Sequence, residues 1–138
     1  MNILFLCVGN SARSQIAEGL AKEMLGPDHN VQSAGSIPTG KIHPGAFKTM
    51  KDIGIDISNH SSKSIDDLDK DFIDNLDYVI TLCHEEICPV ISGDVKKLHW
   101  VNEDPDNVNF SDIQIKNAFD KTRDNIFNLL KKFMLDNL

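Results

Sequence analysis

No run of apolar residues in this 138-residue chain approaches the roughly 20 needed to cross a bilayer, so no membrane-spanning helix is expected. A basic leader is also missing. The first residues, Met1-Asn2-Ile3-Leu4-Phe5-Leu6-Cys7-Val8, are apolar and end in a motif rather than at a small-residue cleavage site. They read as the buried first strand of a cytoplasmic protein. Positive charge is scarce: 14 Lys and Arg stand against 21 Asp and Glu, a net charge of −7, which argues against a nucleic-acid backbone as the main partner. Any anion bound here must be held by local geometry, not by the overall field. No repeat, low-complexity tract or linker interrupts the chain, so one domain covering 1–138 is expected, large enough for a real core. Cysteine is rare, with Cys7, Cys83 and Cys88 the three present. An odd count in such a chain argues against a framework of structural disulfides and is compatible with one nucleophile plus a redox pair. A cysteine taken at random is most often an inert buried thiol, so position must decide whether these are different.

What is present is an alternation of strand and helix patterns. Ile3 to Leu6 is a short apolar run ended by Gly9 and Asn10. From Ser14 to Leu25, Ile16, Ala17, Leu20, Ala21 and Met24 recur at helical spacing, and Gly26-Pro27 ends the pattern. Val31 to Ser33 is a candidate second strand, and Pro44 to Ile53 a helix closed by Gly54. Asp77 to Leu82 is a continuous β-prone run, typical of a strand covered on both faces, and Val95 to Trp100 a fourth. Ile115, Phe119, Thr122, Ile126, Leu129 or Leu130, and Phe133 predict one long amphipathic helix. This order predicts an α/β fold, a parallel sheet flanked by helices. Ligands of such sheets bind beyond the carboxyl ends of the strands. Cys7, Cys83 and the segment from Trp100 to Asp104 each follow a predicted strand, which brings them to one crevice.

The main motif is Cys7-Val8-Gly9-Asn10-Ser11-Ala12-Arg13, followed by Ser14, with five residues between the cysteine and the arginine. A loop of this length can turn successive backbone N–H groups inward as a nest for a tetrahedral oxyanion. The helix that follows adds its positive end. Arg13 can grip two oxygens with its planar fork. Gly9 permits tight turning, and Asn10 tolerates left-handed backbone. The same donors favour a thiolate at Cys7, and Ser14 is placed to hydrogen-bond it. A buried cysteine ending a strand beside a surface arginine is the plainer alternative, disfavoured by the strand before, the helix after and the Gly, Asn and Ser between.

The stretch Cys7 to Glu18, CVGNSARSQIAE, resembles the signature loop and first helix of the low-molecular-weight protein tyrosine phosphatase superfamily, which includes the thioredoxin-coupled arsenate reductases. The likeness extends through Ser33-Ala34-Gly35, Ile55 to His60, Thr81-Leu82-Cys83, Val95 to Trp100 and Asp104-Pro105. The resemblance implies a single domain with a four-stranded parallel sheet flanked by helices. It implies that Asp104 is the general acid; Glu103 and Asp106 are its local competitors, and a plain Asp-Pro turn is the bland reading.

The cradle alone does not separate phosphate from arsenate chemistry, because the two oxyanions are near-isosteric. The electrons do. Hydrolysis needs one cysteine and water, whereas reduction of As(V) to As(III) needs two electrons, which a dithiol supplies by becoming a disulfide. The resemblance implies a relay in which Cys7 attacks arsenate, Cys83 then attacks Cys7, and Cys88 attacks Cys83. The resulting disulfide is reduced by thioredoxin or another thiol reductant. Phosphate is then a competitor, no cofactor or metal is required, and a monomer suffices. The alternative is a phosphatase hydrolysing phosphomonoesters through a Cys7 phospho-enzyme. Against it, Asp104-Pro105-Asp106-Asn107 lacks the aromatic residues with which such phosphatases grip a phenyl ring, and the single Tyr, Tyr78, lies in a predicted buried strand.

Two departures from the family pattern stand out. The gap of four residues between Cys83 and Cys88 is short. The family's monovalent-cation site is often built from Asn, Glu, Ser and Asp. Asn10, Glu18 and Ser33 match three of these, but Lys63 falls at the fourth, which implies a tethered ammonium in place of an ion and no activation by potassium. Zinc held by Cys83, His84, Cys88 and His99 fits no common spacing. His29, His43 and His60 are expected at the surface or in turns, and the cluster Asp66, Asp67, Asp69, Asp71 as a solvated segment. A non-catalytic phosphate-binding module would need neither the acid nor the dithiol.

Overall fold

The computed structural model describes residues 1–84, 91 and 93–138. Strands β1 (Asn2–Cys7), β2 (Asn30–Gly35), β3 (Tyr78–Thr81) and β4 (Lys96–His99) form one parallel sheet in the order β2-β1-β3-β4. Parallel neighbours require crossover connections. Helix α1 (Arg13–Leu25) carries the chain from β1 to β2, and α2 (Pro44–Lys51) and α3 (Lys70–Asp74) lie between β2 and β3. Helix α4 (Asp112–Asn137) closes the described chain.

Both faces of the sheet are covered, which explains why β1 and β3 read as unbroken apolar runs. Successive residues alternate between faces. Ile3 and Phe5 of β1, Val31 of β2, and Tyr78 and Ile80 of β3 pack on Ile16 and Leu20 of α1, Met50 of α2 and Phe119, Ile126, Leu130 and Phe133 of α4. Leu4, Leu6, Ala34 and Val79 face the other way, onto Phe72 and the partly buried Ile65, Leu68 and Ile73. In α4 it is Leu130, not Leu129, that is buried with the stripe. Ser111 starts that helix by accepting the Gln114 N–H, while the Gln114 side chain accepts the Ser111 N–H.

The acidic cluster is solvated, Asp66, Asp67, Asp69 and Asp71 all being exposed, but it is also built into a 3-10 turn (Ile65–Asp67) and α3. Two of its carboxylates engage helix ends, Asp67 accepting from the Ser64 N–H and Asp69 from the Asp71 N–H. Charge concealed the helical spacing of Ile65, Leu68, Phe72 and Ile73, which cover the second face. One expectation needs correction. Helix α2 stops at Lys51 rather than Ile53, because Gly54, at φ 80°, turns the chain so that the Ile55 N–H reaches back to the Met50 carbonyl.

The strand order reverses at β1, with β2 on one side and β3 on the other. Loops leaving the carboxyl ends of β1 and β3 therefore run apart and open a crevice between them. Cys7 ends β1, and Cys83 follows β3. Among the described residues, no helix is long and apolar enough to cross a membrane.

Candidate active site

The loop after β1 is held from outside by its carbonyls. Val8 O accepts from Ile37 N–H (3.0 Å), Gly9 O from Thr39 N–H (3.0 Å) and the Ser62 hydroxyl (3.2 Å), and Ser11 O from His43 N–H (2.8 Å). Asn10 O accepts from Gln15 Nε2 (3.1 Å), and Ala12 O from Ile16 N–H (2.9 Å). In a trans peptide, C=O and N–H point in opposite directions. With every carbonyl from Val8 to Ala12 engaged, the N–H groups of residues 9 to 13 face away from those partners, toward the loop's own interior. Asn10, fully buried at φ 47°, supplies the left-handed residue that such a nest requires. Helix α1 begins at Ala12 with no side-chain cap, so its first N–H groups complete the concavity. Gly35 permits this packing. It pairs with Cys7 across the sheet, and a Cβ there would lie 2.4 Å from Val8 O.

A chain of hydrogen bonds runs from a buried carboxylate to the nucleophile position. Asn10 Oδ1 accepts from the Lys63 backbone N–H (2.9 Å), which fixes the orientation of the amide. Its Nδ2 therefore donates to Ser33 Oγ (2.9 Å) and Ser14 Oγ (2.8 Å). The Ser33 hydroxyl donates its proton to Glu18 Oε1 (2.6 Å). Ser14 Oγ accepts from Asn10 and lies 2.8 Å from Cys7 Sγ, so its own proton is available to the sulfur whenever the sulfur is a thiolate.

Glu18 is 3% exposed at its side chain and has three basic neighbours: Lys22 Nζ at 2.6 Å, His60 Nε2 at 3.5 Å and Lys63 Nζ at 3.8 Å. Burial alone raises its pKa; His60, and the hydrogen bonds from Lys22 and Ser33, outweigh burial and hold the carboxyl below its ordinary value. His60 was expected at the surface or in a turn; it directly follows the turn at 58–59, but its side chain is 7% exposed and its Nδ1 meets Gln15 Oε1 at 3.1 Å. Burial lowers its pKa, against the pull of Glu18. Lys63 thus meets Asn10 through its backbone N–H and Glu18 through Nζ.

Arg13 is 6% exposed, and its Nη1 donates to Asn102 O (2.9 Å), tying the loop to the segment after β4. Asn102 is itself buried and accepts from Asn125 of α4 (2.8 Å). Asp104 is exposed, and its Oδ1 accepts from the Asp106 N–H (3.0 Å). Cys7 is a free, buried thiol. Cys83 is fully buried and disulfide-bonded. Cys88 lies outside the described residues. Sequence reasoning overlooked Gln15, Asn102 and His43. Gln15 carried a signal, being polar in the buried first turn of a helix, where it must find partners. His43, expected only in a turn, caps α2 through its ring. For Asn102 no signal was available.

A backbone nest after a central parallel strand, opened by a buried free thiol and closed by a buried arginine, marks a class of anion-handling proteins. The chain belongs to the low molecular weight phosphotyrosine protein phosphatase family, whose sequence pattern matches residues 2–137. Its relatives narrow the class. Arsenate reductase 1 of Staphylococcus saprophyticus is 45% identical over 135 residues, covering 96% of this chain and 95% of that one. The solved structure of an arsenate reductase in the phosphate binding state is 30% identical, with TM-score 0.76 and 97% and 96% of the two chains covered. A thioredoxin-dependent arsenate reductase of Corynebacterium glutamicum is 32% identical, with TM-score 0.69; it covers 98% of this chain, which spans 62% of that one.

Proposed function

We propose that this protein reduces arsenate to arsenite with a three-cysteine relay and is regenerated by a dithiol carrier of the thioredoxin kind. One observation carries the reading: a buried, disulfide-bonded Cys83 stands after β3, at the same end of the sheet as the free thiol Cys7. Hydrolysis has no use for a redox cysteine there. The relatives named as arsenate reductases, one of them thioredoxin-dependent, point the same way.

The nest of N–H groups and Arg13 bind the tetrahedral anion, with Val8, Gly9, Asn10, Ser11, Ala12 and Ser14 forming the rest of the cradle. Ser14 donates to the Cys7 sulfur and stabilises its thiolate. The thiolate attacks arsenic, and an As–O bond breaks. Asp104 supplies the proton so that the oxygen leaves as water; with Oδ1 taken by the Asp106 N–H, Oδ2 carries that proton. The Cys83 thiolate then attacks Cys7 Sγ. The S–As electron pair stays on arsenic, which departs as arsenite, leaving a Cys7–Cys83 disulfide. Cys88 attacks Cys83, releases Cys7 and leaves a Cys83–Cys88 disulfide for the external dithiol. A second reading, phosphomonoester hydrolysis through Cys7, is favoured by the same cradle and acid.

Arsenate-dependent NADPH oxidation with thioredoxin and thioredoxin reductase separates the two, with p-nitrophenyl phosphate hydrolysis run in parallel. Cys83→Ser and Cys88→Ser each abolish the first and spare the second if the relay operates. Brisk hydrolysis with no arsenate turnover, repeated with glutathione and glutaredoxin, would establish the phosphatase reading.

A further inference from the structure

His43 makes contacts that reach beyond capping a helix. Its backbone N–H donates to Ser11 O (2.8 Å), inside the anion cradle. Its Nδ1 accepts from the Gly45 N–H (2.9 Å), starting α2. Since Nδ1 holds an accepted proton, the neutral ring carries its own proton on Nε2. That nitrogen lies 3.3 Å from Asp106 Oδ2. The Asp106 N–H, in turn, donates to Asp104 Oδ1 (3.0 Å). Phe119 of α4 stacks on the imidazole, with centroids 4.7 Å apart, and fixes the plane of the ring.

We propose that His43 is a positioning residue for the proton donor, keeping the Asp104 turn in register with the cradle through Nε2–H to Asp106. The inference rests on Asp104 as the acid. The segment after β4 is then held at two points: at Asn102 by Arg13, which binds the anion, and at Asp106 by His43, which is hydrogen-bonded to the cradle backbone. A carboxyl group whose oxygen must meet a departing oxygen needs placement to a fraction of an ångström, and Asp104 is exposed, with its own turn as local support.

A plain helix cap predicts something different, and the test separates the two. His43→Asn retains a good capping oxygen but cannot reach Asp106. Asp106→Ala breaks the same bond from the other side, on an exposed residue that takes no part in capping α2. The readout is single-turnover arsenite release by the fully reduced protein, measured against arsenate concentration. Both variants are expected to lower the maximal rate by about 10-fold, part of the ~100-fold or more that a general acid contributes. The half-saturating arsenate concentration should stay within about 2-fold, because the cradle is untouched. The double variant should be no slower than either single one, and His43→Asn should add nothing on an Asp104→Asn background. Wild-type rates in both single variants overturn the inference, as does an undiminished His43→Asn effect on that background, which marks a structural role. Should Asp104→Asn keep the wild-type rate, the acid assignment itself fails. Should it alone be slow, only the role of His43 does.

Discussion

Gly35→Ala puts the packing beneath the cradle to a quantitative test. A Cβ at this position would stand 2.4 Å from Val8 O, 3.0 Å from Asn10 N and 3.1 Å from Asn10 Cβ. Carbon and oxygen rest comfortably at about 3.3 Å, so something must move by roughly 1 Å. The opposing atoms are backbone or belong to buried Asn10, and no flexible side-chain end can swing away. Either β2 slips against β1 or the loop lifts. Overpacking of this kind costs about 1–3 kcal/mol of stability. The larger effect falls on catalysis. A displacement near 1 Å in a positioned site costs about 100-fold in rate, or roughly 2.7 kcal/mol of barrier. Gly54→Ala is the control, since no atom lies within 4 Å of its Cβ and φ is 80°. Its cost is the left-handed backbone alone, about 1–2 kcal/mol, with kcat/KM unchanged. The assay is kcat/KM for arsenate in both variants, together with thermal midpoints with and without phosphate. If Gly35→Ala keeps kcat/KM within threefold of wild type, the close approach of β2 to the loop does not support the cradle and the reasoning is wrong.

Three further outcomes are expected. Ser33→Ala removes the acceptor for one Asn10 N–H and the donor to Glu18, costing about 1–3 kcal/mol for the buried groups left unpaired. It also slows alkylation of Cys7 by iodoacetamide; an unchanged rate would show that the chain of bonds does not reach the sulfur. His60, held by burial below its ordinary value near 6.5, takes up its proton more readily in the unfolded chain. Its contribution to stability is therefore complete above that value and lost as pH falls below it. His60→Gln should flatten the fall of Tm through that window, whereas a wild-type Tm that rises on acidification there would mean that Gln15 Oε1 and Glu18 overcome burial and hold the imidazolium. With Lys63 Nζ 3.8 Å from Glu18, potassium should raise arsenate turnover no more than sodium at equal ionic strength, and a potassium-specific gain would refute the tethered-ammonium reading.

The sheet was legible because β1 and β3 are short, apolar and buried on both faces, and the long C-terminal helix because its stripe of Phe119, Thr122, Ile126, Leu130 and Phe133 repeats cleanly over about four turns. The region from Ile65 to Asp74 was not, because acids that cap helix ends look the same in sequence as acids in solvent. The cradle was legible for a related reason: backbone nests are announced by their turn residues, here Gly9 and Asn10. Its supports were not. Ile37, Thr39, Ser62 and His43 hold it through hydrogen bonds from distant segments, three of them made by backbone N–H groups that every residue but proline possesses, so no side-chain pattern records them. His60 was misjudged since a histidine buried against a carboxylate differs from one in a turn only by what the fold brings to it.

The central place of β1 has a consequence for the newborn chain. Cys7 is the first of the three cysteines to be synthesised, yet Ser33, the Lys63 backbone and Asn102 all contribute to the surroundings of its loop. Strand β2 follows soon after α1 and can pair with β1 early, but the Lys63 and Asn102 contacts join the loop to parts of the chain made much later. The cradle around the sulfur is therefore completed only when distant segments have been made and docked, whereas the strand that carries it can pair long before.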